Sequence, residues 1–163
     1  MNTKYLTKAS LIAALYIVLV LIQLIPAPFV ALTFGHIQLR IAEGLVLLPL
    51  VESAAIPGVF IGCLLSNLLL SYFSGFGLID ILGGSLVTLI AAFLTSKMKN
   101  KITGILPPVV LNGLIVSIWV SYFTKVPYFI TVLGIAGGEL LSVLIFGSII
   151  LSVYNKSTNL KEY

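Results

Sequence analysis

Charge is what this chain has least of. Asp, Glu, Lys and Arg make up 9% of its 163 residues, and 60% are hydrophobic; a soluble domain carries about 25% charged residues. There is too little polar surface here to cover a body in water. The chain, with a mean hydropathy of +1.19, therefore reads as an integral membrane protein. A single cysteine excludes an intrachain disulfide and a cysteine metal site. Cys63 stands in an apolar run and reads as a small packing hydrophobe. A single histidine leaves no His/Cys cluster with metal spacing and speaks against a serine triad, for which the Gly-x-Ser-x-Gly elbow is also missing. No Gly-x-x-x-x-Gly-Lys-Ser/Thr loop is present, so the chain cannot hydrolyse ATP through a P-loop. Gly75-Phe76-Gly77 lacks the third glycine of a dinucleotide fingerprint and is only a turn. No cofactor and no metal are expected. A net charge of +4 would suit nucleic acid, but the lysines flank the apolar runs, where membrane topology explains them better.

What is there is a series of long apolar runs. A spanning helix needs about 20 apolar residues. The run after Lys8 is too long for a signal peptide and is read as a retained first helix, about 5–25, stopped by Pro26 and Pro28, each of which removes a backbone donor and fixes φ. The segment from Pro26 to Gln38 is too apolar to lie in water and is expected to fold back over the bundle. A short second helix, about 39–51, opens with Arg40 and Glu43. The third covers about 54–72, with Pro57 in its first turn, where proline is tolerated; Ser74 to Gly77 is a tight turn. The fourth, about 78–96, begins near Asp80. A lysine-rich loop precedes the fifth, about 102–124, and a turn ending at Pro127 precedes the sixth, about 128–153. The expected fold is an all-α membrane protein, one domain over residues 1–163, a six-helix bundle with both termini on one side. Lys4, Lys8, Lys97, Lys99, Lys101, Lys156 and Lys161 fall on that side and only Arg40 and Lys125 on the other, which makes the termini cytoplasmic.

The organising stretch is Phe34 to Pro49. It holds the only histidine (His36), the only arginine (Arg40) and Glu43, between two apolar runs. A charge at bilayer depth costs roughly 2.5–3.5 kcal/mol even on lenient scales, so a membrane chain keeps such a cluster for a reason. Arg40 and Glu43, three apart, share a helix face; they form either a structural ion pair or a direct contact to a ligand. Gln38 adds an amide that donates and accepts, while His36, a lone histidine in an outer loop, reads as ordinary. Asp80 and Glu139 are intramembrane carboxylates, which by default face a cavity. Glu139 follows Gly137 and Gly138, whose missing side chains let a flat ligand or another backbone come close. Asn67 and Asn112 are buried amides that need partners. Trp119 and Tyr122 are either interfacial aromatics or stacking groups; Tyr128 is read as interfacial. Ala9 and Ala13 place small residues four apart on helix 1, a spacing that serves either a partner helix or a helix of the same chain.

Taken together these residues resemble a known family. Ile37-Gln38-Leu39-Arg40-Ile41-Ala42-Glu43 with Leu47-Leu48-Pro49 is similar to the signature of the queuosine-precursor S components of energy-coupling-factor transporters. So are Ile56-Pro57-Gly58, Gly62-Cys63, Ser66-Asn67, Leu78-Ile79-Asp80, Gly83-Gly84-Ser85, Thr88, Pro108, Asn112-Gly113 and Gly138-Glu139. Leu39 and Ala42 depart from it, standing where the family often has phenylalanine and serine. The resemblance implies a six-helix subunit that captures a micronutrient outside the cell. It also implies a transmembrane scaffold subunit and two cytoplasmic ATPases as partners, and docking through Ala9 and Ala13. The implied ligand is a 7-deazaguanine: the 7-cyano or 7-aminomethyl form, or queuine. A carboxylate can accept the adjacent N–H donors of a guanine-like edge as a pair, a role given to Glu139. Asp80 would take an aminomethyl cation, Asn112 and Gln38 the polar rim, and Trp119 a ring face, with Arg40 and Glu43 completing the set. The chain itself is expected not to be an enzyme; ATP hydrolysis falls to the partners. Other readings are an S component for thiamine or riboflavin, a membrane enzyme using the carboxylates for acid–base work, and a non-transporting assembly subunit. The expected location is a prokaryotic cell membrane.

Overall fold

The computed structural model describes residues 2–24 and 39–158. The expected capping segment before Gln38, with His36 and Gln38 itself, lies outside the described residues. Six helices follow one another: α1 (Thr3–Leu24), α2 (Ile41–Leu50), α3 (Ala55–Ser74), α4 (Ile79–Thr95), α5 (Lys101–Thr124) and α6 (Tyr128–Thr158). No strand occurs among the described residues. By length and composition α1, α5 and α6 are each able to cross a membrane; α2, α3 and α4 are shorter apolar helices.

The turns are where the sequence places them. Gly75 and Gly77 both have positive φ, 68° and 64°, which only glycine adopts at no steric cost. Asn100 caps α5, its Oδ1 accepting from Thr103 N–H at 2.9 Å. Pro107 and Pro108 sit inside α5. Pro108 has no N–H to give the carbonyl of Gly104, and the Thr95 hydroxyl donates to that carbonyl instead, at 3.0 Å. A proline that would break an isolated helix is thereby accommodated between two packed ones.

Two departures from regular α-helix were not expected. The first is α2, which is a ten-residue 3₁₀ helix. Such runs are seldom longer than 3–4 residues. At about 2.0 Å per residue it reaches about 20 Å, so a segment too short for an α-helical span still runs deep. It is the central post of the bundle: Ala42 to Pro49 are buried, and α2 touches all five other helices. Its narrow girth permits close approach. A Cβ at Gly44 would lie 2.8 Å from the Gly147 nitrogen and 2.9 Å from the Phe146 carbonyl carbon. The second departure is a set of π-helical turns at Ile79–Gly84, Asn112–Val116 and Val143–Gly147.

α1 and α3 run side by side in the same direction. A Cβ at Gly58 would meet the Ala9 carbonyl oxygen and Ile12; one at Gly62 would lie 2.6 Å from the Tyr16 Cβ. Ala9 and Ala13 are buried at this contact, 7% and 6% exposed. Ser10 and Ala14, on the same turns, are exposed. The small residues thus serve packing within the chain.

At the end where α1 begins and α6 finishes, Glu52 ties three elements together. It pairs with Lys8 of α1, accepts from the Tyr154 hydroxyl of α6 at 2.6 Å, and accepts from the Ala54 N–H at 3.1 Å. Burial pushes its carboxyl up, but the Lys8, Tyr154 and Ala54 donors outweigh that and hold it below its ordinary 4.5. A carboxyl depressed by folding stabilises above its unfolded value and loses that stabilisation as pH falls through the folded one. Lys8 is half-exposed, so the pair itself is worth little, about 0.2–1 kcal/mol. The thermal midpoints of the wild type and Glu52→Gln should differ at pH 7 and converge as pH drops below 4.5. A gap that stays constant with pH would deny Glu52 this role.

Candidate functional site

The apolar helices bring their few polar residues to one place. Arg40 and Glu43 from α2, Asp80 from α4, Asn112 from α5 and Glu139 from α6 line a single cavity, with Asn67 of α3. Local geometry explains much of this convergence. Arg40 is the extended residue that caps α2 (φ −118°, ψ 111°), and its carbonyl accepts from Glu43 N–H at 3.1 Å, which keeps the two residues at the same end of that helix. Asp80 and Asn112 each sit in a π turn, a geometry that recurs at functional sites. Gly84 keeps room beside Asp80: a Cβ there would lie 3.1 Å from Asn67 Nδ2 and 3.4 Å from Asp80 Oδ1.

Arg40 and Glu43 do not pair. Among the described residues the one ion pair is Lys8–Glu52. Glu43 Oε1 instead accepts from the Tyr16 hydroxyl at 2.5 Å, and its Oε2 has no partner. Nor do Arg40 Nε, Asn112 Nδ2 and Glu139 Oε1. Glu43 and Glu139 are only 3% and 4% exposed. A buried polar group left unpaired costs about 1–3 kcal/mol, more when charged. Four such atoms, two donors and two acceptors, surround one cavity without a hydrogen bond of good geometry, although the Asn112 and Glu139 side chains lie close enough to interact with each other.

The other predicted residues fall as follows. Asp80 Oδ1 accepts from Trp119 Nε1 at 3.2 Å. Trp119 itself packs among Phe76, Val87, Val116, Val120 and Ile135, so it reaches the site through Asp80 rather than offering a ring face. Tyr122 is on the outer surface, 69% exposed, under the Lys125 ammonium, which is the interfacial role. Gly137 has nothing within 4 Å of where its Cβ would be, so close approach does not explain it. The sequence reading left three supports unassigned. Asn67 Nδ2 donates to the Asp80 carbonyl at 3.0 Å and touches Cys63 Sγ at 3.4 Å; Thr88 Oγ1 also reaches Cys63 Sγ at 3.4 Å. Tyr16 holds Glu43. Asn67 had a signal, being an amide within an apolar helix; Tyr16 had none that separates it from an interfacial tyrosine.

Val116 and Ile135 supply apolar wall. The open space is about 20 Å³, room for little more than one water molecule. The site has the polar groups of a binding pocket in a contracted form.

A family model described as QueT transporter matches residues 6–156. The chain belongs to the QueT transporter family. That match spans all six helices and every cavity residue. No curated protein and no solved structure matches the chain. As a QueT transporter the chain is a membrane protein whose work is transport, as the substrate-binding component for queuosine precursors.

Proposed function

We propose that the chain is the six-span S component of an energy-coupling-factor transporter in a prokaryotic plasma membrane, with both termini cytoplasmic, and that its cavity captures a 7-deazaguanine. The observation that carries this reading is the set of four unpartnered polar atoms around one cavity. A 7-deazaguanine offers adjacent N–H donors with a carbonyl acceptor beside them on one edge, and a single ring-nitrogen acceptor on the far side of its amino group; position 7 is carbon and accepts nothing. Glu139 Oε1 and Glu43 Oε2 answer the donors as charge-assisted acceptors; Asn112 Nδ2 and Arg40 answer the acceptors. The roles of Gln38 and Trp119 are at the rim and behind Asp80. Asp80, already held by Trp119 and Asn67, faces the remaining positive charge of an aminomethyl group. Val116 and Ile135 lie against the ring faces. Because the cavity is contracted, binding moves its walls apart, and the ligand replaces the missing partners.

Energy comes from two ATPase subunits through a scaffold subunit that meets helix 1. The docking face is the exposed side of helix 1 at Ser10 and Ala14, next to Ala9 and Ala13, whose small side chains seat the helix on α3 and hold that face in place. Ala14→Leu should abolish uptake and spare ligand binding. Ala13→Leu, pushed against Gly62, should lower both. Equal uptake by Ala14→Leu and the wild type would move the docking face elsewhere.

The direct test is binding to the purified chain in detergent, read by calorimetry and by thermal stabilisation. The panel is 7-cyano- and 7-aminomethyl-7-deazaguanine, queuine, guanine, thiamine and riboflavin. Tight binding of a deazaguanine with guanine much weaker is the expected result. Binding of thiamine or riboflavin alone would keep the transporter and replace the substrate. No binding from a folded sample would favour an assembly subunit.

A further inference from the structure

The first N–H groups of a helix have no partner within it. At the start of α2 these include those of Arg40 and Ile41, both half-buried. Ile41 N–H donates to Gln23 Oε1 at 2.9 Å, and the other half of the same amide, Gln23 Nε2, donates to the Leu39 carbonyl. Arg40 N–H donates to Ser142 Oγ at 3.0 Å, and Ser142 in turn donates to the Gly138 carbonyl at 2.8 Å. Gln23 is 3% exposed and Ser142 fully buried. The main chain on both sides of Arg40 is therefore gripped by one amide from α1, and its own N–H by a hydroxyl from α6, one turn from Glu139.

The Arg40 guanidinium lies within the field of Asp80 and Glu43, but among the described residues no side-chain hydrogen bond fixes it. It forms no ion pair among the described residues, and its Nε is buried without a partner. A long side chain in that condition takes its position from its backbone. We propose that Gln23 is a positioning residue of the substrate site, which aims the Arg40 guanidinium into the cavity by fixing residues 39–41. The inference rests on the deazaguanine-binding reading above. It also gives α1 a second task. Tyr16, seven residues earlier on the same face, holds Glu43, so one helix sets both charged residues of α2.

The test uses the full chain in detergent and 7-aminomethyl-7-deazaguanine as the probe. Gln23→Met keeps the side-chain length and removes both hydrogen bonds. The expected result is binding weakened about tenfold. If Gln23 acts through Arg40, that loss shrinks to under about twofold in an Arg40→Lys background and stays full in a Glu139→Gln background. A purely structural role would give the same loss in all three backgrounds, and that result overturns the proposal, as does no loss in the wild type. Should Gln23→Met fail to fold, Gln23→Glu keeps the acceptor for Ile41 N–H, loses the donor to Leu39, and enters the same cycle. If Glu139→Gln and Arg40→Lys both bind like the wild type, the ligand site is misplaced and this inference falls with it. If those two weaken binding and the Gln23 variants do not, the positioning role alone fails.

Discussion

Glu139→Gln is expected to weaken deazaguanine binding at least tenfold, a loss of about 1.4 kcal/mol or more. The change is isosteric, so no void opens. It replaces an acceptor-only oxygen with an amide that can present N–H to the ligand's own N–H, and it removes the charge that strengthens such bonds. The free protein should respond in the opposite direction. Glu139 Oε1 has no hydrogen-bond partner and its side chain is buried; a neutral amide of the same shape costs no more to bury than the acid it replaces. The ligand-free thermal midpoint of Glu139→Gln should therefore equal or exceed that of the wild type. A lowered midpoint with unchanged affinity would mean the carboxylate serves the fold and not the ligand.

Gly44→Ala is expected to be the most damaging single methyl in the bundle. Its Cβ would fall 2.8 Å from the Gly147 nitrogen and 2.9 Å from the Phe146 carbonyl carbon. Both are backbone atoms of a neighbouring helix, with no rotamer through which to yield. Overpacking costs typically about 1–3 kcal/mol, and backbone opposition places this case at the upper end. Because Glu43 is the adjacent residue on α2, displacement of that helix should cost affinity together with stability. Gly137→Ala is the matched control. Nothing lies within 4 Å of its Cβ position, and alanine is favoured over glycine in a helix by about 1 kcal/mol. Thermal midpoints in detergent should rank Gly137→Ala at or above the wild type and Gly44→Ala well below. Equal midpoints for the two variants would refute the close packing of α2 on α6.

The contrast between these glycines shows what the sequence conveys. The helix ends were legible because prolines, glycines and lysines punctuate long apolar runs. The ends expected near 25, 51 and 124 are observed at Leu24, Leu50 and Thr124. α3 runs two residues past the expected 72, to Ser74, and α6 runs furthest on, to Thr158 rather than about 153. Five of the seven predicted ligand residues line one cavity, because a polar side chain in an apolar helix advertises itself. The winding of α2 and the π turns were not legible. They are decided by how closely neighbours approach, as at Gly44, and not by local propensity. Trp119 was given a ring-stacking part because its type suggested one; its partner, Asp80, is 39 positions away. Gln23 and Tyr16 were passed over since each looks ordinary in an apolar helix, and only the fold brings them to α2.

The π turns have a consequence for how the chain tolerates gain and loss of residues. Each α-helical residue turns the helix by about 100°, and a π turn closes its hydrogen bond across one residue more than an α turn. It is thus a single-residue surplus absorbed on the spot. Deleting one residue within Ile79–Gly84 or Asn112–Val116 would restore an ordinary helix and cost little in hydrogen bonding. The two halves of the helix would keep their phase, because the extra residue is taken up within the turn; only Asp80 or Asn112, inside the turn itself, would lose its present direction. These helices can shorten by one residue and still present the same faces to their neighbours, but not the same side chain to the cavity.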